Sequence, residues 1–267
     1  MQKVVLITGA SSGLGLATAL HLTKKGYIVF GTSRNPDKFT QPVPFELLPL
    51  EITDINSIET CVAEVIKRKK RVDVLINNAG VGITGPIEEL DINAISSNFN
   101  TNCFGPLQMI KSVLPKMREQ SSGTIINITS IGGYMGLPFR GPYSASKSAL
   151  SIITESLSME VKNFGIKVVC LAPGDFATDI ASRRYHSPAL EKSPYKKYKE
   201  SLDTMNKHVD QGSNPNEIAI AIDKILSKEN PKLHYEVGSF LQKLSKTLKK
   251  ILPSRIFEKI IMNHYNL

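Results

Sequence analysis

The sequence predicts an α/β fold, a single domain with a doubly wound parallel sheet of about seven strands and helices on both faces. Short apolar runs rich in β-branched residues alternate along the chain with segments of helical spacing. The apolar runs are continuous, which is typical of strands buried on both faces. The chain has 267 residues, 41% of them hydrophobic, and no internal repeat or Gly/Ser linker. We therefore expect one domain over residues 1–267, with a ligand crevice beyond the carboxyl ends of the strands.

The elements are predicted in this order along the chain. The first strand is VVLIT (4–8), and a helix over residues 14–25 follows it and ends at Gly26. YIVFGTS and PFELLPL predict the next two strands, and we expect Asp54 to cap a helix that begins INSIETCV. Further strands are predicted at VDVLINNAG, GTIINITS, IKVVCLAP and LHYEVG (233–238), with helices over about 95–118 and 144–164.

Two segments fall outside this alternation. Residues 179–213 fit no sheet pattern and are too long for a plain connection, so we expect them to form a lid over the site. Residues 239–264 predict basic amphipathic helices, broken at Pro253, and most of the net charge of +9 lies in this C-terminal part. This pattern fits the solvated face of packed helices, peripheral contact with an anionic membrane surface, or delivery to a partner. No aromatic-interleaved basic surface or recognition helix occurs, so we expect no nucleic-acid partner.

The cysteines and the apolar runs bear on the compartment. The three cysteines, Cys61, Cys103 and Cys170, are odd in number and set among apolar neighbours, which fits buried thiols in a reducing compartment. The N-terminal apolar run is too short for a secretory signal, and no later run approaches the length of a bilayer span. We therefore expect a cytoplasmic location. The histidines are scattered without metal-ligand spacing, so we expect no metal.

The stretch TGASSGLG (8–15) lies between the first strand and the first helix. Glycines allow a tight turn and a close approach of the backbone to a ligand, and a helix N-terminus offers free N–H groups to a pyrophosphate. The alternative is an ordinary turn from strand to helix. The candidate cofactor-binding residues of this loop are Gly9, Ser11, Ser12, Gly13, Leu14 and Gly15.

The spacing of these glycines resembles the short-chain dehydrogenase/reductase family, and further motifs follow in the family's order. NNAG (77–80), NTNCFG with Asn102, NITS ending at Ser130, the pair Tyr143 and Lys147, and PGDFAT (173–178) all occur. The resemblance covers residues 3–180 and implies a Rossmann fold with Asn102, Ser130, Tyr143 and Lys147 as catalytic residues. It implies a homodimer or homotetramer as well. The implied cofactor contacts are Asn78, Ala79, Gly80, Tyr143, Lys147, Pro173, Gly174 and Thr178.

The cofactor preference is set just after the second strand, where a carboxylate binds a ribose 2′-hydroxyl and an arginine pairs with a 2′-phosphate. The chain has Ser33 and Arg34 there and no acid. We expect NADP(H) to be favoured over NAD(H); the alternative is that Arg34 is simply a surface residue. Glu51 stands where the family usually has Asp beside the adenine, so the adenine contact stays open.

The residue types fit hydride transfer between an alcohol and a carbonyl group, which needs an acid and base for the oxygen. Making a phenol of reference pKa near 10 acidic enough means lowering its pKa by roughly three units, or stabilising the phenolate by about 4 kcal/mol. An ammonium one helical turn away, as at Lys147, can supply this in a water-poor site. Ser130 would donate a hydrogen bond to the substrate oxygen. The resemblance implies that Asn102 holds a water linking Lys147 to solvent.

The substrate is predicted to be a lipophilic alcohol or ketone, since the C-terminal layout resembles retinol-dehydrogenase-like and hydroxysteroid-dehydrogenase-like members of the family. Aromatic and apolar residues near the site also suit an apolar ligand, although they could instead pack the lid. They are Tyr134, Met135, Leu137, Phe139, Phe176, Tyr185, Leu190, Tyr195, Tyr198 and Met205. Fatty-acyl and small carbonyl substrates stay open, as do a catalytically silent NADP-binding regulator and a membrane-surface binding protein.

Overall fold

A computed structural model describes residues 2–40, 42–187 and 192–267. Its strands are β1 Val4–Ile7, β2 Ile28–Ser33, β3 Glu46–Pro49, β4 Val74–Asn77, β5 Ile83–Thr84, β6 Gly123–Ile128, β7 Ile166–Pro173, β8 Tyr185–His186 and β9 His234–Val237. Its helices are α1 Gly13–Lys24, α2 Ile55–Lys69, α3 Ile92–Phe99, α4 Gly105–Glu119, α5 Gly141–Glu160, α6 Tyr198–Asp210, α7 Asn216–Leu226, α8 Phe240–Ile251 and α9 Ser254–His264.

Seven of the strands form one parallel sheet in the order β3-β2-β1-β4-β6-β7-β9. The order reverses direction between β1 and β4, and the carboxyl ends of these two strands flank the crevice where such folds bind ligands. The predicted doubly wound sheet of about seven strands with helices on both faces is therefore confirmed.

The continuous apolar runs are explained by two cores, one on each face of the sheet. Along β1, Val4 and Leu6 face one core while Val5 and Ile7 face the other. Helices α2 and α4 pack on the first face, and α1 and α7 pack on the second. Both faces of the strand are buried, so its sequence shows no alternation of apolar and polar residues.

Helix boundaries follow the local signals, with two differences from the prediction. The Asp54 carboxylate accepts a hydrogen bond from the Asn56 backbone N at 2.9 Å, as expected for the cap of α2. The helix predicted over 95–118 begins earlier, at Ile92, and runs through a π-helical turn (Asn100–Phe104) into α4. The helix predicted over 144–164 spans Gly141–Glu160, because Pro142 in the first turn favours an earlier start.

The segment 179–213 contains a short strand that its sequence did not indicate. Strand β8 pairs in parallel with β5 over two residues each, and α6 follows. A strand of two residues is too short to show the two-residue hydrophobic period by which strands are recognised in a sequence. A separate core holds α6 against the C-terminus, where Tyr198, Leu202 and Met205 pack with Tyr265.

The C-terminal residues form α8 and α9, separated at Pro253 as predicted. Ser239 and Gln242 make a reciprocal capping box at the start of α8. Within the described residues, no helix is both long and apolar enough to cross a membrane. All three cysteines are buried as free thiols, and burial raises the pKa of Cys61 to about 11.

Candidate active site

The loop between β1 and α1 is shaped by glycines at positions where a side chain would be strained or would clash. Gly9 and Gly13 adopt φ values of +68° and +53°, which side chains disfavour. A Cβ on Gly15 would lie 2.1 Å from the Gly9 carbonyl oxygen, so only glycine fits there. Helix α1 starts at Gly13 with no side chain capping it, which leaves its first N–H groups free for a ligand. The residues of this loop that line the cleft are Gly9, Ser11, Ser12, Gly13 and Leu14.

Hydrogen bonds hold this loop to the end of β4. The Thr8 hydroxyl oxygen accepts from the backbone N of Asn78 and of Ala79, each at 3.0 Å. The Asn78 side-chain amide donates to the carbonyl oxygens of Thr8 and Gly9, also at 3.0 Å. Asn78, Ala79 and Gly80 line the cleft as the sequence predicted. The role of Thr8, which fixes the two strand ends together, was not predicted.

Tyr143 and Lys147 lie one turn apart on α5 and both line the cleft. Both are almost fully buried, at 7% and 5% exposed. The Lys147 ammonium donates to the Ile128 carbonyl oxygen at 2.9 Å. Burial lowers the pKa of Lys147, and the neighbouring Tyr143 acts in the opposite direction.

Ser130 follows the end of β6 and faces the same part of the cleft. Its Oγ accepts a hydrogen bond from the Gly132 backbone N at 3.1 Å. Among the residues that the structure describes, no acceptor for the Ser130 hydroxyl hydrogen is found. The hydroxyl can therefore donate to a ligand while Gly132 holds its oxygen in place.

Asn102 lies behind the cleft rather than in its wall. It is fully buried in the π-helical turn, where its Oδ1 accepts from Val81 N and its Nδ2 donates to Val81 O, both at 2.9 Å. A Cβ on Gly80 would lie 3.2 Å from Asn102 Oδ1 and 3.3 Å from Lys147 Nζ. Asn102 therefore supports the wall beside Lys147, and the cleft brings together Ser130, Tyr143 and Lys147.

The residues after β2 line the other end of the cleft. Arg34 is exposed, and it makes no ion pair with any carboxylate that the structure describes. Ser33 lies beside it, with its Oγ 3.4 Å from the Asn35 backbone N. Glu51 also lines the cleft, but its Oε1 accepts from Thr53 N at 3.1 Å and from Thr53 Oγ1 at 2.8 Å. The Glu51 carboxylate is thus held by Thr53.

The segment after β7 is fastened to α8. Pro173, Gly174 and Thr178 line the cleft as predicted. The Gln242 amide donates to Asp175 Oδ2 at 2.7 Å, and a Cβ on Gly174 would lie 2.1 Å from Gln242 Oε1. The C-terminal helices therefore close directly over this segment.

The cleft has a volume of about 1200 Å³, and its far end is apolar. Of the residues expected there, Met135, Leu137 and Phe176 line it. Most others pack against protein instead, which is the alternative that the sequence left open. Phe139 contacts the rings of Tyr195 and Tyr198, Met205 joins the same core, and Tyr134 packs near α8 and α9. Tyr185 is exposed on β8, and Leu190 lies outside the described residues. The wall residues that were missed come from α8 and α9, namely Leu241, Leu244, Leu248, Phe257, Ile260 and Ile261.

Three arginines of the cleft were also missed. Arg140 lies over the Tyr143 ring, with its Cζ 4.8 Å from the ring centroid, and Arg184 reaches the same end from the segment 179–213. Arg183 donates to Ser12 Oγ and to Asp179 Oδ2, both at 3.1 Å, so this segment also touches the loop between β1 and α1. Arg140 stands three residues before Tyr143 and could have been considered. Arg183 and Arg184 belong to the segment 179–213 that was expected to cover the site, but nothing in the sequence singled out these two residues.

The family described as short chain dehydrogenase matches residues 3–188. The chain belongs to the short-chain dehydrogenase/reductase family. Members of this family are oxidoreductases that bind nicotinamide cofactors and act on small molecules. Groups of three or more potential metal ligands do not occur within the ranges 2–40, 42–187 and 192–267.

Similar proteins of this family match nearly the whole chain. The 3-ketodihydrosphingosine reductase of Bacteroides thetaiotaomicron is 40% identical over 265 residues, 98% of each chain. Retinol dehydrogenase 8 of Homo sapiens is 31% identical over 93% of this chain and 85% of its own length. The crystal structure of a short-chain dehydrogenase from Streptomyces avermitilis, 34% identical, covers 97% of each chain with a TM-score of 0.82. The resemblance to the short-chain dehydrogenase/reductase family is thus confirmed.

Proposed function

We propose that the protein is an NADP(H)-dependent oxidoreductase that interconverts an alcohol and a ketone or aldehyde, with Tyr143 as the acid and base. The observation that carries this proposal is the meeting of Ser130, Tyr143 and Lys147 at one end of a cleft whose other end is a glycine-rich phosphate cradle. The cradle fits a dinucleotide, because a side chain at Gly9, Gly13 or Gly15 would be strained or would clash.

Each residue near the reacting oxygen has a distinct part. NADPH, when bound, supplies the hydride. The Tyr143 hydroxyl donates its proton to the substrate oxygen as the alcohol forms, and the phenolate takes a proton in the reverse direction. The Lys147 ammonium, which Ile128 holds in place, stabilises the phenolate. Ser130 donates a hydrogen bond to the same substrate oxygen.

The part that we assign to Asn102 is the supply of protons to Lys147. Its amide is bound to Val81, and its Oδ1 and the Lys147 ammonium both lie close to Gly80. A water held beside Asn102 would connect Lys147 to solvent. Since Asn102 does not contact the cleft, it acts through Lys147 rather than on the substrate.

The preference for NADP(H) rests on the residues after β2. The Arg34 guanidinium lies at the cleft beside Ser33, and the carboxylate of Glu51, which also lines the cleft, is held by Thr53. An arginine next to a hydroxyl suits a 2′-phosphate, whereas a ribose 2′-hydroxyl needs an acceptor.

The substrate that suits the cleft is a lipophilic alcohol or ketone. The cleft wall beyond Tyr143 is built from apolar side chains, including Leu137, Leu248, Phe257 and Ile261. The names of the two relatives, a 3-ketodihydrosphingosine reductase and a retinol dehydrogenase, support the same class of compound. We propose a cytoplasmic enzyme, since its three cysteines are free thiols.

A screen of carbonyl compounds followed by NADPH absorbance tests this function. We expect long-chain ketones to be reduced faster than short ones at equal concentration, because the long chain covers the apolar wall. If the protein bound NADPH tightly and reduced none of a broad panel, it would instead be a catalytically silent NADP-binding protein.

A second candidate function is peripheral attachment to a membrane, and the exposure of α8 and α9 favours it. Phe240, Leu241 and Ile251 are 74%, 75% and 69% exposed. Lysines stand between these residues along α8, which gives the mixed apolar and basic surface that binds anionic lipid. Leu241 and Ile260 also line the cleft, so this surface lies at its mouth. A substrate dissolved in lipid could therefore enter without crossing water.

We also propose a homodimer or homotetramer. Ile152 and Met159 on α5 are 64% and 72% exposed, and seven residues apart they share one face of the helix. Such a face on an otherwise buried helix fits a contact between copies.

A further inference from the structure

Two arginines flank Tyr143 on the substrate side of the cleft. Arg140, the residue before α5, stands over the Tyr143 ring. Arg184 is 7% exposed, and its aliphatic part packs over Gly82, where a Cβ would lie 3.0 Å from Arg184 Cγ. Both side chains line the cleft. They are far along the chain from the phosphate cradle and lie at the opposite end from Arg34.

Neither guanidinium has a carboxylate partner in the described part of the chain. No ion pair within 4.0 Å forms at Arg140 or Arg184 there. Arg184 Nη1 donates to the neutral Asn206 Oδ1 at 3.3 Å. Burial lowers the pKa of Arg184, and the charge of Arg140 lowers it further, so the two cations repel each other. Arg184 is a buried cation without a counter-ion, which is costly and indicates that the cleft is built for an anion. Arg140 has a hydrogen-bond partner in Tyr265, and although burial opposes it, Tyr265, Tyr143 and Asp175 raise the pKa of Arg140.

The other charged groups of this region leave the positive excess in place. Asp175 is close enough to influence both arginines, but it lies beyond ion-pair distance and its Oδ2 accepts from Gln242. Burial and the neighbouring His208 lower the pKa of His264, while Asp175 acts in the opposite direction. Lys147 adds a third cation beside Tyr143.

We propose that Arg140 and Arg184 bind an anionic head group of the substrate, a carboxylate, sulfonate or phosphate attached near the carbonyl that Tyr143 protonates. The apolar tail then lies against Leu137, Leu248 and Phe257. Guanidinium groups bind such oxyanions through paired hydrogen bonds. This inference rests on the proposed function, because it names the substrate class for the same cleft.

The test compares four matched ketones with NADPH and the full chain. They are 4-oxodecanoic acid, 4-oxodecane-1-sulfonate, the methyl ester of the acid, and (4-oxodecyl)trimethylammonium. We expect the two anions to have a kcat/KM about tenfold or more above the ester, and the cation to be the poorest, since a charge-assisted hydrogen bond is worth that much. The acid and the sulfonate together show which oxyanion is preferred.

The variants are Arg184→Gln and Arg184→Lys, with Arg118→Gln as the control. Arg118 lies over the Phe164 ring and does not line the cleft. Its substitution should therefore leave unaltered the ratio of kcat/KM for the acid to kcat/KM for the methyl ester. Arg184→Gln should bring that ratio close to one, and Arg184→Lys should keep part of it because the charge remains. An equal rate for acid and ester in the parent, or a ratio that Arg184→Gln does not change, would overturn the proposal.

A binding measurement separates this inference from the proposed function. Calorimetry with decane-1-sulfonate and NADP⁺-loaded protein needs no turnover. We expect binding to the parent to be about tenfold or more tighter than to Arg184→Gln. If no ketone were reduced but this difference remained, the function would fail while the anion site stood. Equal binding by the parent and the variant would reject the anion site whatever the activity.

Discussion

At the scale of single residues, the immediate surroundings of Lys147 determine what its charge can do for Tyr143. Lys147 is buried, and its ammonium is fixed by the Ile128 carbonyl oxygen rather than by a carboxylate. A carboxylate partner would neutralise the field that a phenolate at Tyr143 needs. The charge of Lys147 is therefore left available for Tyr143.

The cofactor preference can be tested at Arg34. In Arg34→Asp the guanidinium that we propose to bind a 2′-phosphate is replaced by an acceptor for a 2′-hydroxyl, so the KM for NADPH should rise about tenfold or more while that for NADH falls or stays unchanged. Initial rates with each cofactor at a fixed concentration of ketone measure both values. Arg118→Gln, a change of charge away from the cleft, should alter neither. Equal rises for NADPH and NADH would show that Arg34 does not contact the phosphate.

At the scale of elements, the C-terminal helices have two surfaces with different tasks. On the inner surface of α8, Gln242 donates a hydrogen bond to Asp175 and Leu248 lines the cleft wall. The outer surface exposes Phe240 and Ile251 among lysines. Removing the helices would open the cleft and expose the apolar core beneath it, so deletion cannot distinguish the two tasks.

Substitutions on the outer surface alone can separate membrane attachment from catalysis. Phe240→Asp with Ile251→Asp removes exposed apolar area and adds negative charge, and neither residue lines the cleft. We expect the parent to sediment with vesicles of anionic phospholipid and the double variant to remain in the supernatant, with kcat for a water-soluble ketone unchanged. Vesicles of neutral phospholipid are the control. If the parent failed to sediment with anionic vesicles, the surface would be a solvated helix face.

At the scale of the whole molecule, sequence patterns predicted what is local or periodic. The strands of the large sheet were recognised because both of their faces are buried and their sequences are continuously apolar. The motif residues were recognised because their loops directly follow the ends of these strands. Contacts between distant segments were not predictable in this way. Nothing in the residues around Arg184 indicates that it packs on Gly82, and a two-residue strand such as β8 shows no period. The apolar spacing of α8 indicated a helix but could not indicate that Leu248 faces the cleft.

Assembly of copies is a further property of the whole molecule. If α5 pairs with a second copy, Ile152→Asp with Met159→Lys should shift the mass measured by light scattering from a dimer or tetramer to a monomer, because charges would enter the apolar contact. Ile92→Asp, at an equally exposed apolar residue on α3, is the control. A parent that is already a monomer at the concentrations of the assay would contradict the proposed oligomer.

The central claim is that the Tyr143 hydroxyl supplies the proton to the substrate oxygen. Its most direct test is the rate of NADPH oxidation with a long-chain ketone, compared between the parent and Tyr143→Phe, which removes the hydroxyl and keeps the ring. We predict that kcat falls by about 100- to 10,000-fold in the variant, while the dissociation constant for NADPH changes little. A variant that reduced the ketone at the parent rate would contradict the account.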